Sequence, residues 1–326
     1  MIFYVVKKIK RANAMQAYGQ FWEGLRLLPY EDLFKASSLA PGVYIFADID
    51  RLSSAERHVA AVVWRQLARY PERVRLLNDP SKVLCRYELM LALANSGVNH
   101  YCARYPAEGL KGLHYPVFIR KERGHKGAMT PLLHSAREVR QALVRMYVLG
   151  YRKSELLIIE FCDTSDVSGL FRKYSAFMVG DEILPRHLLI SRNWHLKTPD
   201  ITDADAMSEV EAYLEGNPHE EAIRHIFRQA KIDYGRIDYS MLDDQLQVWE
   251  INTNPSVRKL AERLTAAFVR LNEIVSPHSQ PILIQINADL LLAVERDVRA
   301  ERRIIEKRRR RRETLGKFGF GSLVHG

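Results

Sequence analysis

The segment GRIDYSMLDDQLQVWEINTNP, residues 235–255, constrains the chain most, because two runs of alternating apolar and polar residues flank a short acidic turn. Such runs pair as an antiparallel hairpin, and every second side chain then faces the same way. Arg236, Asp238 and Ser240 share one face of the first strand, with Ile237, Tyr239 and Met241 on the other. On the second strand a strict period of two puts Val248, Glu250 and Asn252 on one side and Trp249 and Ile251 on the opposite one. The Asp-Asp-Gln turn decides whether Asp238 meets Glu250. An odd-numbered loop sets them opposite each other; an even loop without a bulge turns Asp238 away.

Two carboxylates in register repel unless a cation lies between them. Asp238, Glu250 and Asn252 offer hard oxygens suited to Mg²⁺ or Mn²⁺, and Mg²⁺ typically takes one or two protein carboxylates and completes its shell with phosphates and water. Arg236, on the same face, suits a phosphoryl oxygen or a developing oxyanion. The competing reading is a solvated sheet face.

The remainder alternates strands and helices. A strand at 42–50, a helix at 51–70 and a strand at 74–78 form a small α/β opening unit, residues 1–80. The stretch 78–98 predicts a helix with Asp79 at its cap, Pro80 in its first turn and Gly97 at its end, with Val83, Tyr87, Met90 and Ala94 as its apolar stripe. Strand, basic glycine-containing loop and strand follow at 115–129, then a helix at 135–150 and an apolar strand at 154–163. Residues 171–191 read as a hairpin turning at Gly180-Asp181. Two helices precede the acidic hairpin, and the chain closes with a helix fraying into a basic tail, residues 276–326.

The 326 residues are 47% hydrophobic, enough for a sizeable core in a mixed α/β (α+β) architecture. No apolar run suits a membrane span or a cleaved leader, and the expected location is cytoplasmic. Cys85, Cys102 and Cys162 lack disulfide or zinc spacing. Of the net charge of +10, six charges lie in Lys307 to Arg312, leaving +4 for the rest. That run fits a nucleic acid, an anionic surface, or solvent alone. His125 and His195 lack a paired nucleophile.

In its order of parts, the stretch 78–260 resembles the ATP-grasp superfamily, notably D-alanine:D-alanine ligases and the glutamate ligases that modify protein tails. There an Arg-x-Asp strand is followed by a Glu-x-Asn strand ending near a proline, as in RID and EIN here. The resemblance implies a core of residues 81–275 in which two α+β subdomains clasp ATP, with Asp238, Glu250 and Asn252 holding its magnesium ions. It puts Arg86 where many members carry a phosphate-contacting lysine. Arg120 or Lys121 falls on the α-phosphate side, and Gly124 to Gly127 over the β- and γ-phosphates, where backbone amides must approach closely. Glu160, Phe161 and Cys162 fall beside the adenine, Asp163 or Asp166 at the ribose, and Lys173 and Arg186 toward the triphosphate.

The resemblance implies a carboxylate-amine ligase working through an acylphosphate, with Arg236 stabilising the tetrahedral intermediate. Its substrates would be a small-molecule or peptide carboxylate and an amine, with Arg192 or Arg258 as carboxylate contacts; a homodimer is compatible. Two rivals stand beside it: a phosphotransferase or non-ligating nucleotide-binding protein, and a nucleic-acid or partner-binding module using the basic tail. The chain departs from the pattern in carrying arginine for lysine at 86 and 120, NPSV after the second strand, and a sparser, more basic glycine loop.

Overall fold

The computed structural model describes residues 1–8, 24–124, 127–257, 261–273 and 280–317. The chain opens on β1 (Ile2–Val6), which lies inside a parallel sheet between β2 (Leu25–Pro29) and β4 (Gly42–Phe46), with β5 (Val74–Leu77) beyond β4. β4 is buried along its whole length, and β1 nearly so, which is why both read as apolar runs rather than as alternations. A short helix α1 (Tyr30–Lys35) and the longer α2 (Ser54–Leu67) flank the sheet; Ser53 and Glu56 form a reciprocal capping box at the start of α2. A two-residue strand β3 (Ser38–Leu39) pairs with β13 (Ile282–Leu283).

The predicted helix at 78–98 begins later than expected. Asp79 accepts from the backbone N–H and hydroxyl of Ser81, and its carbonyl accepts from Lys82 and Val83, so residues 79–83 form a tight turn. Leu84 then pairs with the Ala230 carbonyl, and α3 (Arg86–Asn95) starts with Glu88 accepting from the Cys85 N–H. Its buried face is Arg86, Leu89, Met90 and Leu93; of the expected stripe Met90 belongs to that face and Val83 is buried in the turn before it, while Tyr87 and Ala94 are half-buried.

A second sheet is antiparallel, in the order β6 (Ala103–Arg104), β8 (Leu156–Glu160), β7 (Val117–Lys121). Helix α4 (Ala136–Val148) covers it through Val139, Leu143 and Met146, which join Val117, Ile119 and Ile158 in a separate core. The third sheet runs β10 (Glu182–Ser191), β9 (Phe171–Val179), β11 (Tyr234–Leu242), β12 (Gln245–Asn252), all antiparallel. Helices α5 (Ala204–Gly216) and α6 (Glu220–Ala230) pack on its apolar face, and this core is continuous with that of the parallel sheet. α7 (Ala261–Glu273) joins a further shared core through Leu264, Phe268 and Leu271.

The closing helix α8 (Ala288–Lys317) corrects the frayed-tail expectation, because the basic run 307–312 lies inside it. Arg308 donates to the Gly150 carbonyl at 3.1 Å, pairs with the Glu155 carboxylate and stacks over the Tyr151 ring, while Arg312 donates to the Tyr151 hydroxyl. Nearer its start, Asp297 accepts from the Ala55 N–H and Glu301 pairs with Lys7. Among the described residues no helix is long and apolar enough to cross a membrane.

Candidate active site

The turn between β11 and β12 holds only Asp243 and Asp244, both left-handed with φ of 47° and 61°. An even loop alone would put Asp238 and Glu250 on opposite faces. A bulge repairs the register: Tyr239 pairs with Val248, Asp238 pairs with Glu250, and Trp249 is the extra residue. The bulge also corrects the expected faces. Val248 is buried with Tyr239 in the core, whereas Trp249 joins Glu250 on the cleft side, where its indole stacks on Tyr101 and donates to the Ser240 hydroxyl at 2.9 Å. Arg186 is unpaired between Pro185 and His187 on the opposite edge strand. His187, Ser175, Asp238 and Glu250 thus form one row across the sheet, flanked at both edges by irregularities.

This face and the β6-β8-β7 sheet enclose a cleft of about 350 Å³. Its cleft-facing residues are ordered. Along β7 they are Phe118 then Arg120, and along β9 Phe171 then Lys173, so both strands pass from aromatic to cationic. Trp194 packs between Phe118 and Phe161, with ring centroids 5.2 and 5.7 Å away, and Phe161 meets Phe171 at 6.4 Å. Cys162 and Thr164 line the same cavity, and burial pushes the Cys162 thiol up to about 11, so it stays protonated near neutral pH. At the polar part, Arg120, Lys173, Lys197 and Arg236 outnumber Asp238 and Glu250, leaving the cavity attractive to a polyanion.

The acidic groups are held by cations. Arg236 grips Asp238 in a two-pronged contact of 2.9 and 3.0 Å, and the buried Ser175 hydroxyl donates to the same Oδ1 at 2.9 Å. Glu250 Oε2 accepts from both Arg86 and Arg120 at 2.7 Å. Burial, with the Arg86 charge beside it, lowers the Arg120 pKa against the pull of Glu250. Asn252 shares the sheet face of Arg236 and Glu250, and its Oδ1 accepts from the Asn254 N–H at 2.8 Å. Among the described residues no three of His, Cys, Asp and Glu gather as a metal cluster. The donor set is two carboxylates and a carboxamide, which fits Mg²⁺ or Mn²⁺ completed by phosphate oxygens rather than an all-protein metal cage.

Not every expected residue reaches the cleft. Arg86 lies behind Glu250 instead of lining the cavity. Lys121 alternates outward from Arg120 and caps the Tyr151 ring. Glu160 turns into the scaffold, accepting from the backbone N–H groups of Cys102 and His114 at 2.9 Å. Asp163 and Asp166 hold their own turns, Asp163 through Ser165 and Asp166 through Ser168 and Arg172. Arg186 pairs with His187, and Arg192 lies exposed outside the cleft. Gly124 and Gly127 have φ of 99° and 80°; Gly127 lines the cavity, and a Cβ there would come within 2.6 Å of His195 Nε2. His195 lines the cleft as well, its pKa lowered by burial and by Lys197, Lys173 and Arg120, so its imidazole is neutral near pH 7. His125 and Arg258 lie outside the described residues.

Pattern reading missed two residues of the site: Trp194, which lines the cleft, and Ser175, which is buried behind it and fixes Asp238. Ser175 follows Lys173 at the strand period and was accessible on that ground alone, whereas Trp194 sits in an irregular segment after β10 and carries no periodic signal.

No protein-family model matches the chain, and no curated protein matches it by sequence. Solved structures do. The D-alanine–D-alanine ligase of Bacillus anthracis superposes with a TM-score of 0.52 at 13% identity, over 92% of this chain and 99% of that one. The same enzyme complexed with ATP gives 0.50 over 84% and 95%. Carboxyaminoimidazole ribonucleotide synthase of Aspergillus clavatus, also complexed with ATP, gives 0.50 at 11% identity over 87% and 79%. The chain has the ATP-grasp fold, as its motifs lead one to expect.

Proposed function

We propose that the chain is an ATP-dependent ligase joining a carboxylate to an amine. The observation that carries this reading is the cleft itself, aromatic toward one part and cationic toward the other, with Asp238 and Glu250 brought into register by the Trp249 bulge. A planar base and a polyphosphate match that grading. The three solved structures named above are two of a ligase and one of a synthase, two of them complexed with ATP, which supports the same assignment.

In this reading Phe161, Cys162 and Trp194 hold the base, and Arg120, Lys173 and the Gly127 backbone hold the phosphates. Asp238, Glu250 and Asn252 would hold Mg²⁺ or Mn²⁺; when bound, the metal screens charge between the triphosphate and the incoming oxygen. A substrate carboxylate oxygen attacks the γ-phosphorus, the bond to the β,γ-bridging oxygen breaks, and ADP leaves with that electron pair. An amine then attacks the acyl carbon, loses a proton, and expels phosphate from a tetrahedral intermediate whose oxyanion faces Arg236. Positioning and fixed charge carry both steps.

A second reading, nucleotide binding without ligation, draws on the arginines that occupy both acidic groups. Binding through the basic run alone has less support, since Arg308 and Arg312 are engaged with protein groups.

Calorimetric titration with ATP, with and without Mg²⁺, is expected to show metal-dependent affinity; no ATP binding under either condition would sink the assignment. ADP and phosphate release that requires both an acid and an amine selects ligation over simple phosphoryl transfer. Glu250→Gln is expected to cut that turnover on the order of a hundredfold or more while leaving the fold intact, the loss typical of removing one electrostatic partner of a transition state.

A further inference from the structure

Arg86 and Arg120 converge on one oxygen of Glu250, yet their other surroundings differ. Arg86, the first residue of α3, also donates from Nη1 to the carbonyls of Lys121 and Glu122 at 3.1 and 2.5 Å. It therefore ties α3, the root of the glycine loop and β12 together, and it faces a water-sized cavity shared with Asp50, Cys85 and Thr253. Arg120 lines the large cleft beside Lys173 and Arg236.

We propose that the two arginines have separate roles: Arg120 exchanges Glu250 for the phosphates of the nucleotide, whereas Arg86 is a positioning residue that stays on Glu250 and on the loop root throughout. This rests on the nucleotide reading of the cleft and departs from the phosphate role that the resemblance gives to position 86. The reason is donor supply. Both Nη1 hydrogens of Arg86 serve carbonyls, and withdrawing them would leave a buried and a part-buried acceptor unmet. Arg120 trades one charged acceptor for another, and its departure takes one of two adjacent guanidinium charges away from Glu250.

The roles predict different tolerance of lysine. A lysine ammonium is a point charge that serves a phosphate well but cannot span two carbonyls and a carboxylate as a planar fork does. ATP affinity is measured by calorimetry on the full chain, in EDTA and in Mg²⁺, for Arg120→Lys, Arg120→Ala and Arg86→Lys, with circular dichroism to check folding. Arg120→Lys is expected within about threefold of wild type, while Arg120→Ala weakens metal-free binding about tenfold or more, the size of a lost charge-assisted hydrogen bond. Arg86→Lys is expected to keep metal-free affinity within about threefold but to lose about tenfold of the gain that Mg²⁺ brings, because Glu250 is no longer fixed.

Hydrogen exchange without nucleotide supplies a second reading: amides at 121–124 exchange faster in Arg86→Lys and unchanged in Arg120→Lys. If Arg86→Lys is unfolded, Arg86→Gln, which keeps one donor pair, is read the same way. Lysine tolerated equally at both positions, or metal-free affinity lost in Arg86→Lys as deeply as in Arg120→Ala, overturns the division. Absence of ATP binding by the wild type overturns the nucleotide reading itself and the Arg120 role with it, while the exchange result still reports on Arg86.

Discussion

Lys173 shows how the cleft tunes a single side chain. Its ammonium donates to the Leu196 carbonyl at 2.6 Å, and burial lowers its pKa, with Asp238 opposing the shift and Arg236 adding to it. A lysine so placed loses its charge at a lower pH than an exposed one. For ligand binding, affinity for a polyphosphate is expected to fall as pH rises through that lowered value, and Lys173→Arg, charged at every accessible pH, should flatten the fall. Calorimetry of ATP binding between neutral and alkaline pH checks it, and an identical profile in the variant would exclude Lys173 as the titrating group. For folding, the unfolded chain takes up this proton first as pH falls, so the group withdraws stability between its unfolded and folded values. The residues most legible in the sequence are those bound by strand period within one strand: Arg236 and Asp238 share a face of β11 as the alternation requires, whereas Glu250 joins them only through the Trp249 bulge. Glu160 was misplaced because a carboxylate after an apolar strand serves a ligand or two backbone N–H groups equally well on pattern alone; here it takes Cys102 and His114.

At the scale of the element, the hairpin of β11 and β12 carries a conflict and its solution. Its two-residue turn imposes an even register, and the Trp249 bulge restores the facing of Asp238 and Glu250. Alternation cannot reveal a bulge, since an inserted residue changes the phase without changing composition. That is why a strict period of two exchanges the faces of Val248 and Trp249. The turn itself is built from unfavourable residues: Asp243 and Asp244 both adopt positive φ, a conformation that Asn-Gly accepts readily, and they set two like charges side by side. The double variant Asp243→Asn, Asp244→Gly is expected to stabilise the protein by about 0.5–1 kcal/mol, seen as a higher thermal midpoint. Because the turn lies at the far end of the strands from Asn252, ATP affinity should not change; a lower midpoint would mean that the acidic turn makes contacts the hairpin needs.

At the scale of the molecule, the cores define which parts are bound to which. The parallel sheet and the large antiparallel sheet share apolar cores, while the β6-β8-β7 unit with α4 has its own, so the two walls of the cleft belong to different packing units. Helix α8 reaches from α2 to the second unit, and Gly150 lets it lie close, since a Cβ there would stand 3.2 Å from the Arg308 side chain. The basic run looked like a solvated tail in sequence because its partners, Tyr151 and Glu155, lie about 150 residues earlier and lend it no local signal. Arg308 and Glu155 are both partly buried, and a double-mutant cycle with Arg308→Ala and Glu155→Ala should return a coupling of about 0.5–1 kcal/mol. The consequence extends past the pair. The Glu155 carbonyl accepts from the Glu122 N–H at 3.0 Å, and the Glu122 carbonyl accepts from Arg86, so the helix, the loop root and the Glu250 anchor are linked in series. Arg308→Ala is therefore expected to speed hydrogen exchange at Glu122 as well as at residues 150–155; faster exchange confined to 150–155 would show that the helix braces only its own contact and that the glycine loop is held by Arg86 alone.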